Sequence, residues 1–142
     1  MSVDMTKWQE IAKKNIHNRP AGEGRLAGKI TIVTGAAQGF GKGIAEELYK
    51  EGATIIVADM NLPMAESVAA ELGENAWAVA VNVSDEESCA EMVAKVVEKF
   101  GGLDIMVANA GVVRSGPIAT FEQKDFEFVT AINYTGLFLC AK

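Results

Sequence analysis

The sequence predicts an α/β fold built on a doubly wound parallel sheet, and three observations predict it. Four short apolar runs, at 29–34, 54–59, 76–82 and 103–108, are each followed by a longer segment whose apolar residues recur at helical spacing. The links between them are short, so consecutive elements form βαβ units whose helices cover both faces of the sheet. With 142 residues, 49% hydrophobic and 23% charged, the chain has the size and composition of one domain with a substantial core.

Residues 1–28 read as a leader arm and residues 29–142 as the domain. In the leader, Trp8, Ile11, Ala12 and Ile16 make one amphipathic face that Arg19-Pro20-Ala21-Gly22 interrupts, a face suited to docking on the domain or a partner subunit. Lys29-Ile30-Thr31-Ile32-Val33-Thr34 is β-branched and apolar, as a strand buried on both faces requires. Ile44, Ala45, Leu48 and Tyr49 then give a helix over about 40–51 an apolar stripe. Thr54-Ile55-Ile56-Val57-Ala58-Asp59 is the second strand, and Pro63, harmless where a helix begins, opens a helix over 63–73. Strand 76–82 follows. Ser84 with Glu87 resembles a capping box for the helix 85–100, which Gly101-Gly102 closes. After strand 103–108, Thr120 with Gln123 repeats the capping pattern before a helix over 121–141.

The chemistry begins between the first strand and its helix, at Thr34-Gly35-Ala36-Ala37-Gln38-Gly39-Phe40-Gly41. A glycine turn that opens a helix presents unpaired backbone N–H groups and the positive end of a dipole, a ready anion site. The second strand ends in Asp59, where a carboxylate can accept both hydroxyls of an adenosine ribose and repel a 2′-phosphate. Strand, glycine turn, helix and acidic strand end together predict a dinucleotide site; a plain tight turn with Asp59 as a solvated cap leaves their coincidence unexplained.

In such a sheet, ligands lie beyond the carboxyl ends of the strands. Asn109-Ala110-Gly111 occupies that place after the fourth strand, where small residues permit close backbone approach, and Asn109 also suits a turn that ties loops together. Asn82-Val83 occupies it after the third, as an adenine pocket or as a strand terminator before Ser84. Asn133 sits among Phe126, Phe128, Val129, Ile132, Leu137, Phe138 and Leu139, in a helix whose propensities disfavour it. A buried asparagine there must hold a backbone irregularity, a water or a neighbouring loop, as a structural anchor or as an active-site residue. Arg114 after the fourth strand reads as a contact for an anionic substrate or as a solvated loop arginine.

Composition excludes several classes. The net charge of −6 argues against a nucleic-acid surface, and the strand-sized apolar runs leave no transmembrane helix. The polar N-terminus shows no signal peptide, so the cytoplasm is the expected compartment, and the glycosylation patterns at Asn82 and Asn133 are accidental there. Cys89 and Cys140 lack metal-ligand spacing and are expected to be reduced and buried, and His17, the lone histidine, stands in the polar leader, so no metal site is expected.

Taken together, Thr34-Gly35-x3-Gly39-x-Gly41, Asp59, Asn82-Val83-Ser84-Asp85, Asn109-Ala110-Gly111 and Asn133 resemble the short-chain dehydrogenase/reductase family, from about residue 28 to the last residue. The resemblance implies a Rossmann-type sheet, ended here after about four strands and the helix that carries Asn133. It implies that Gly35, Gly39 and Gly41 line the pyrophosphate, with the Phe40 amide as a donor, and that Asp59 holds the adenosine ribose. Val83 would meet the adenine through its backbone beside Asn82, where the family more often has aspartate. Asn109, Ala110 and Gly111 would border the nicotinamide side, and Asn133 matches the family's catalytic asparagine, which orders a proton-relay water. Gln38 and Met60 stand where NADP-preferring members carry a basic residue, so NAD is the expected cofactor.

The family's chemistry also uses a serine and a Tyr-x-x-x-Lys pair. Tyr49 and Tyr134 are the only tyrosines, and neither has a lysine four residues on. The expectation is an NAD-dependent oxidoreductase acting on a small alcohol or ketone, a polyol or sugar derivative among the candidates, of which this chain is an incomplete and by itself inactive part. The parent protein is expected to be a homodimer or homotetramer, and residues 1–142 alone to aggregate or to depend on the other half. The alternative is a non-catalytic dinucleotide-binding module or an inactive fragment.

Overall fold

The structure, a computed structural model, describes residues 24–142 together with Thr6 and Glu10. The amphipathic face predicted for Trp8, Ile11, Ala12 and Ile16, its break at 19–22, and His17 lie outside the described residues. From Ile30 the elements alternate: β1 (Ile30–Thr34), α1 (Gly39–Lys50), β2 (Thr54–Asp59), α2 (Leu62–Leu72), β3 (Ala76–Ala80), α3 (Glu86–Phe100) and β4 (Ile105–Val107). A short 3₁₀ turn (Ile118–Thr120) then leads to α4 (Gln123–Thr130), a π-helical segment (Ala131–Thr135) and α5 (Gly136–Ala141).

The four strands form one parallel sheet in the order β3-β2-β1-β4. β1 pairs with β2 from Ile30↔Thr54 to Thr34↔Ala58, and with β4 from Thr31↔Ile105 to Val33↔Val107. Successive side chains point to opposite faces, and both faces are apolar. Ile32, Ile56 and Val79 pack with Cys89, Met92 and Val96 of α3 and Cys140 of α5. Val33, Ile55 and Val57 pack on the other face with Ala45 of α1 and Ala65, Val68 and Ala69 of α2. Burying an Ile or Val side chain contributes roughly 1.5–3 kcal/mol, so these two layers hold the sheet. The doubly wound α/β fold of Rossmann type read from the sequence is the fold observed.

Three strands are shorter than predicted: the first starts one residue later, at Ile30, and the third and fourth are cut more deeply. The fourth begins at Ile105; just before it, the Asp104 carboxylate accepts the Ile30 N–H at 2.8 Å and the Asp104 N–H donates to the Ile30 carbonyl at 2.9 Å. The third ends at Ala80, and two residues later the Ser88 hydroxyl accepts the Asn82 N–H at 2.9 Å.

Both predicted capping boxes are also corrected. Asp85, not Ser84, caps α3 by accepting the Glu87 N–H at 3.1 Å, because the Ser84 hydroxyl donates to Asn82 Oδ1 at 2.7 Å. The Thr120 hydroxyl turns back to the Pro117 carbonyl at 3.4 Å, and α4 starts after Glu122 without a side-chain cap. The predicted helix 121–141 is α4, the π segment and α5 in succession.

Residues 24–28 are held on the domain at the α1–β2 turn. Arg25 donates to both Glu51 carboxylate oxygens, at 3.0 and 2.9 Å, and the Leu26 N–H reaches the Glu51 carbonyl at 2.8 Å. The Arg25 side-chain hydrogen bonds hold the Glu51 carboxyl down at about 2. At the other end of the chain, Phe126, Phe128, Tyr134, Leu137 and Phe138 of α4, the π segment and α5 are exposed.

Candidate functional site

The strand order reverses between β1 and β4, and a crevice outside their carboxyl ends follows from that topology. A cleft of about 330 Å³ occupies this place. Gly35, Gln38, Phe40, Gly41, Asp59, Asn82, Val83, Asn109, Ala110 and Gly111, all singled out from sequence, line it.

The glycine turn is built to leave the start of α1 open. Gln38 is the N-cap residue in extended conformation (φ −159°, ψ 174°), yet its side chain makes no capping hydrogen bond, and no acidic residue lies in the first turn. Gly39 has φ +58°, and a Cβ there would enter open space. That conformation, rather than crowding, excludes other residues. Gly41 is the reverse case: a Cβ would lie 2.1 Å from the Gly35 carbonyl oxygen and 2.6 Å from Asn109 Nδ2. Only glycine lets α1 approach the β1 end so closely. The result is a helix N-terminus facing a cleft with its dipole unneutralised.

The turn is pinned from two sides. Ala36 N–H donates to the Ala58 carbonyl at 3.3 Å, and Ala37 N–H to Asp59 Oδ2 at 3.2 Å. The other Asp59 oxygen accepts the Asn61 N–H at 3.0 Å. Two backbone amides therefore orient this carboxylate, and its remaining lone pairs stay available to hydroxyl donors.

From the β4 side, Asn109 Nδ2 donates to the Thr34 carbonyl at 2.9 Å. The buried Thr34 hydroxyl accepts the N–H groups of Asn109 and Ala110 at 3.0 and 3.1 Å and donates to the Val107 carbonyl at 3.4 Å. Asn109 thus ties two loops together, as one of its sequence readings held. Thr34 received no separate role from sequence, although a hydroxyl ending a buried apolar strand has to find partners.

Asn82 Oδ1 accepts both the N–H and the hydroxyl of Ser84, at 3.1 and 2.7 Å. This is the strand-terminating turn of the simpler reading, and it coexists with a place on the cleft wall. Val83 is buried beside it.

Asn133 differs from the expectation in one respect: it is exposed, not buried. Its amide accepts the Val112 N–H at 2.8 Å and donates to the Val112 carbonyl at 2.9 Å, fastening the loop after β4 to the π segment. The backbone irregularity is real, and π turns of this kind recur at functional sites. Arg114 lies with its guanidinium 5.2 Å from the Phe128 ring centre and 3.9 Å from Asp125, so it braces the same loop against α4. Met60, Val81, Val112 and Ile132 also line the cleft, and Val112 and Ile132 carried no polar or glycine signal that could have marked them. Among the described residues no cluster of side chains could hold a metal ion, and no helix is long and apolar enough to cross a membrane.

The family model for short chain dehydrogenase matches residues 29–142. The chain is 38% identical over 112 residues to the sorbitol dehydrogenase of Cereibacter sphaeroides, covering 79% of this chain and 44% of that protein. It is 39% identical over 112 residues to the galactitol 2-dehydrogenase of Agrobacterium fabrum, with the same coverage of 79% and 44%. The crystal structure of 3-ketoacyl-(acyl-carrier-protein) reductase from Brucella melitensis complexed with NADH superimposes with a TM-score of 0.79 at 36% identity, covering 82% of this chain and 48% of that one. The chain spans about half the length of the relatives it matches. With its fold, its glycine turn and its match to the family over 29–142, this chain belongs to the short-chain dehydrogenase family.

Proposed function

We propose that this chain supplies the NAD-binding part of an oxidoreductase that interconverts a secondary alcohol and a ketone. The observation that carries the reading is the open α1 N-terminus facing the same cleft as the oriented Asp59 carboxylate. The residues fit an extended dinucleotide. Gly35, Gly39 and Gly41 with the Phe40 amide would receive the pyrophosphate, where the helix dipole favours negative charge. Asp59 would accept the adenosine ribose hydroxyls and repel a 2′-phosphate, which with Gln38 and Met60 in place of basic residues favours NAD over NADP. Asn82 and the Val83 backbone would border the adenine, and Asn109, Ala110 and Gly111 the nicotinamide side.

When bound, the nicotinamide accepts or donates the hydride. The chain's own contribution is to hold it and, through Asn133, to fix the Val112 loop beside it. By family resemblance Asn133 would also order a proton-relay water; its amide retains one N–H and one lone pair beyond the Val112 bonds for that purpose. The general acid–base tyrosine with its lysine would come from residues other than Tyr49 and Tyr134. A polyol or sugar derivative is the proposed substrate class, supported by the names of the sorbitol and galactitol relatives. The exposed face of Phe126, Tyr134, Leu137 and Phe138 supports a homodimer or homotetramer for the whole protein, and the two free cysteines a reducing, cytoplasmic setting.

Titration with NADH and NADPH tests the reading. The chain should bind NADH more tightly, and Asp59→Ala should weaken NADH by roughly tenfold, the equivalent of about 1.4 kcal/mol, while narrowing the gap to NADPH. An unchanged preference removes Asp59 from the ribose role. Binding without turnover of any polyol by the 142-residue chain would leave it, taken alone, a dinucleotide-binding module.

A further inference from the structure

The loop after β3 turns its hydrogen-bond acceptors inward. Asn82 Oδ1 accepts both the N–H and the hydroxyl of Ser84, at 3.1 and 2.7 Å, which fills its two lone pairs. The Asn82 carbonyl accepts the Asp85 N–H at 3.1 Å. The Val83 carbonyl lies 3.6 Å from the Sγ of Cys89, a buried thiol of α3. The Asn82 N–H is engaged as well, by the Ser88 hydroxyl at 2.9 Å.

Two kinds of donor remain. Among the described residues, no acceptor pairs with Asn82 Nδ2 or with the Val83 N–H, and both residues line the cleft. The Asn82 amide cannot turn over to present its oxygen instead. A backbone N–H only donates, so the atom facing the Ser84 nitrogen has to be oxygen, and the reversed amide would set donor against donor. The neighbouring cleft residues Met60 and Val81 are apolar, suited to the flat faces of a ring and indifferent to its exocyclic groups.

This donor pattern bears on which purine fits the loop. Adenine carries a 6-amino donor beside its N7 acceptor, whereas a 6-oxopurine carries two adjacent acceptors, O6 and N7. An asparagine that reads adenine in the bidentate way accepts from the 6-amino group and donates to N7. Asn82 retains only the donating half of that pair. An aspartate, which the family more often has here, would keep a second oxygen for the 6-amino group once Ser84 had taken the first.

We infer, resting on the NAD reading above, that Asn82 sets the base selectivity of the cleft. Through Nδ2, with the Val83 N–H beside it, the loop recognises purine acceptors and does not select for a 6-amino group. A dinucleotide whose base is a 6-oxopurine therefore binds as tightly as one with adenine, or more tightly.

The test is a calorimetric titration of the full chain with NADH and with reduced nicotinamide hypoxanthine dinucleotide, its 6-oxopurine counterpart. The expected dissociation constants agree within about threefold or favour the 6-oxo form, since the loop offers nothing that the 6-amino group can donate to. Asn82→Asp keeps an oxygen for Ser84 and adds one for the base. It should shift the ratio toward NADH by about tenfold or more, as a hydrogen bond to a charged acceptor does. A merely structural Asn82 would change both affinities alike and leave the ratio where it was.

Wild-type chain that favours NADH by about tenfold or more overturns the inference and leaves the cofactor reading in place. An unchanged ratio in folded Asn82→Asp overturns it too, and the wild-type comparison decides alone if that variant does not fold. Binding of neither dinucleotide removes the cofactor reading and the inference with it.

Discussion

The N-termini of α1 and α3 are built in opposite ways. α3 satisfies itself: Asp85 accepts the Glu87 N–H, and Glu86 and Glu87 place negative charge in the first turn, where the dipole favours it. α1 has neither a side-chain cap nor an acidic residue, and it begins with a glycine at φ +58°. Both helices belong to the same domain and follow parallel strands. The difference shows where the molecule has left a local stabilisation unclaimed, and that place opens on the cleft lined by Asp59 and Asn109. α2 supports the contrast, since Asn61 caps it through the Met64 N–H at 3.2 Å.

The largest effect on the open end of α1 is expected at Gly41. An alanine there would drive a methyl against the Gly35 carbonyl and the Asn109 amide. Gly41→Ala should cost about 3 kcal/mol of stability, the upper end for overpacking, and abolish NADH binding. Urea unfolding and a fluorescence titration read the two effects, and retained affinity would show that the turn tolerates displacement. A smaller effect sharpens the contrast at the other helix. Asp85→Ala should cost about 1 kcal/mol, as cap losses do, and leave NADH affinity unchanged.

Much of this arrangement was legible in the sequence, because it rests on local chemistry. β2 matches the reading at 54–59, since its apolar β-branched run is buried on both sides and ends at a charge. The cleft residues from Gly35 to Gly111 were legible because glycines, strand-end carboxylates and asparagines mark turns by their own conformational demands. What was not legible depends on competition between partners. Ser84 has the composition of a cap, but Asn82 reaches its hydroxyl first and Asp85 takes the helix. The π segment at 131–135 has no compositional mark; it accompanies the pairing of Asn133 with Val112, a contact 21 residues away in sequence. Thr34 likewise gains its role only when β4 lies alongside β1.

If α1 leaves its N-terminus open to receive a dinucleotide, as proposed, closing it at Gln38 should weaken binding. Its backbone already has the extended geometry of an N-cap. Gln38→Asp should convert α1 into a helix like α3, adding roughly 0.5–1 kcal/mol of stability through the cap. The new carboxylate should also repel the pyrophosphate and weaken NADH by about tenfold or more, equivalent to about 1.4 kcal/mol. Calorimetric titration of NADH into the two forms decides the matter: a more stable chain that binds NADH more weakly is the predicted result, and a more stable chain with undiminished affinity contradicts it.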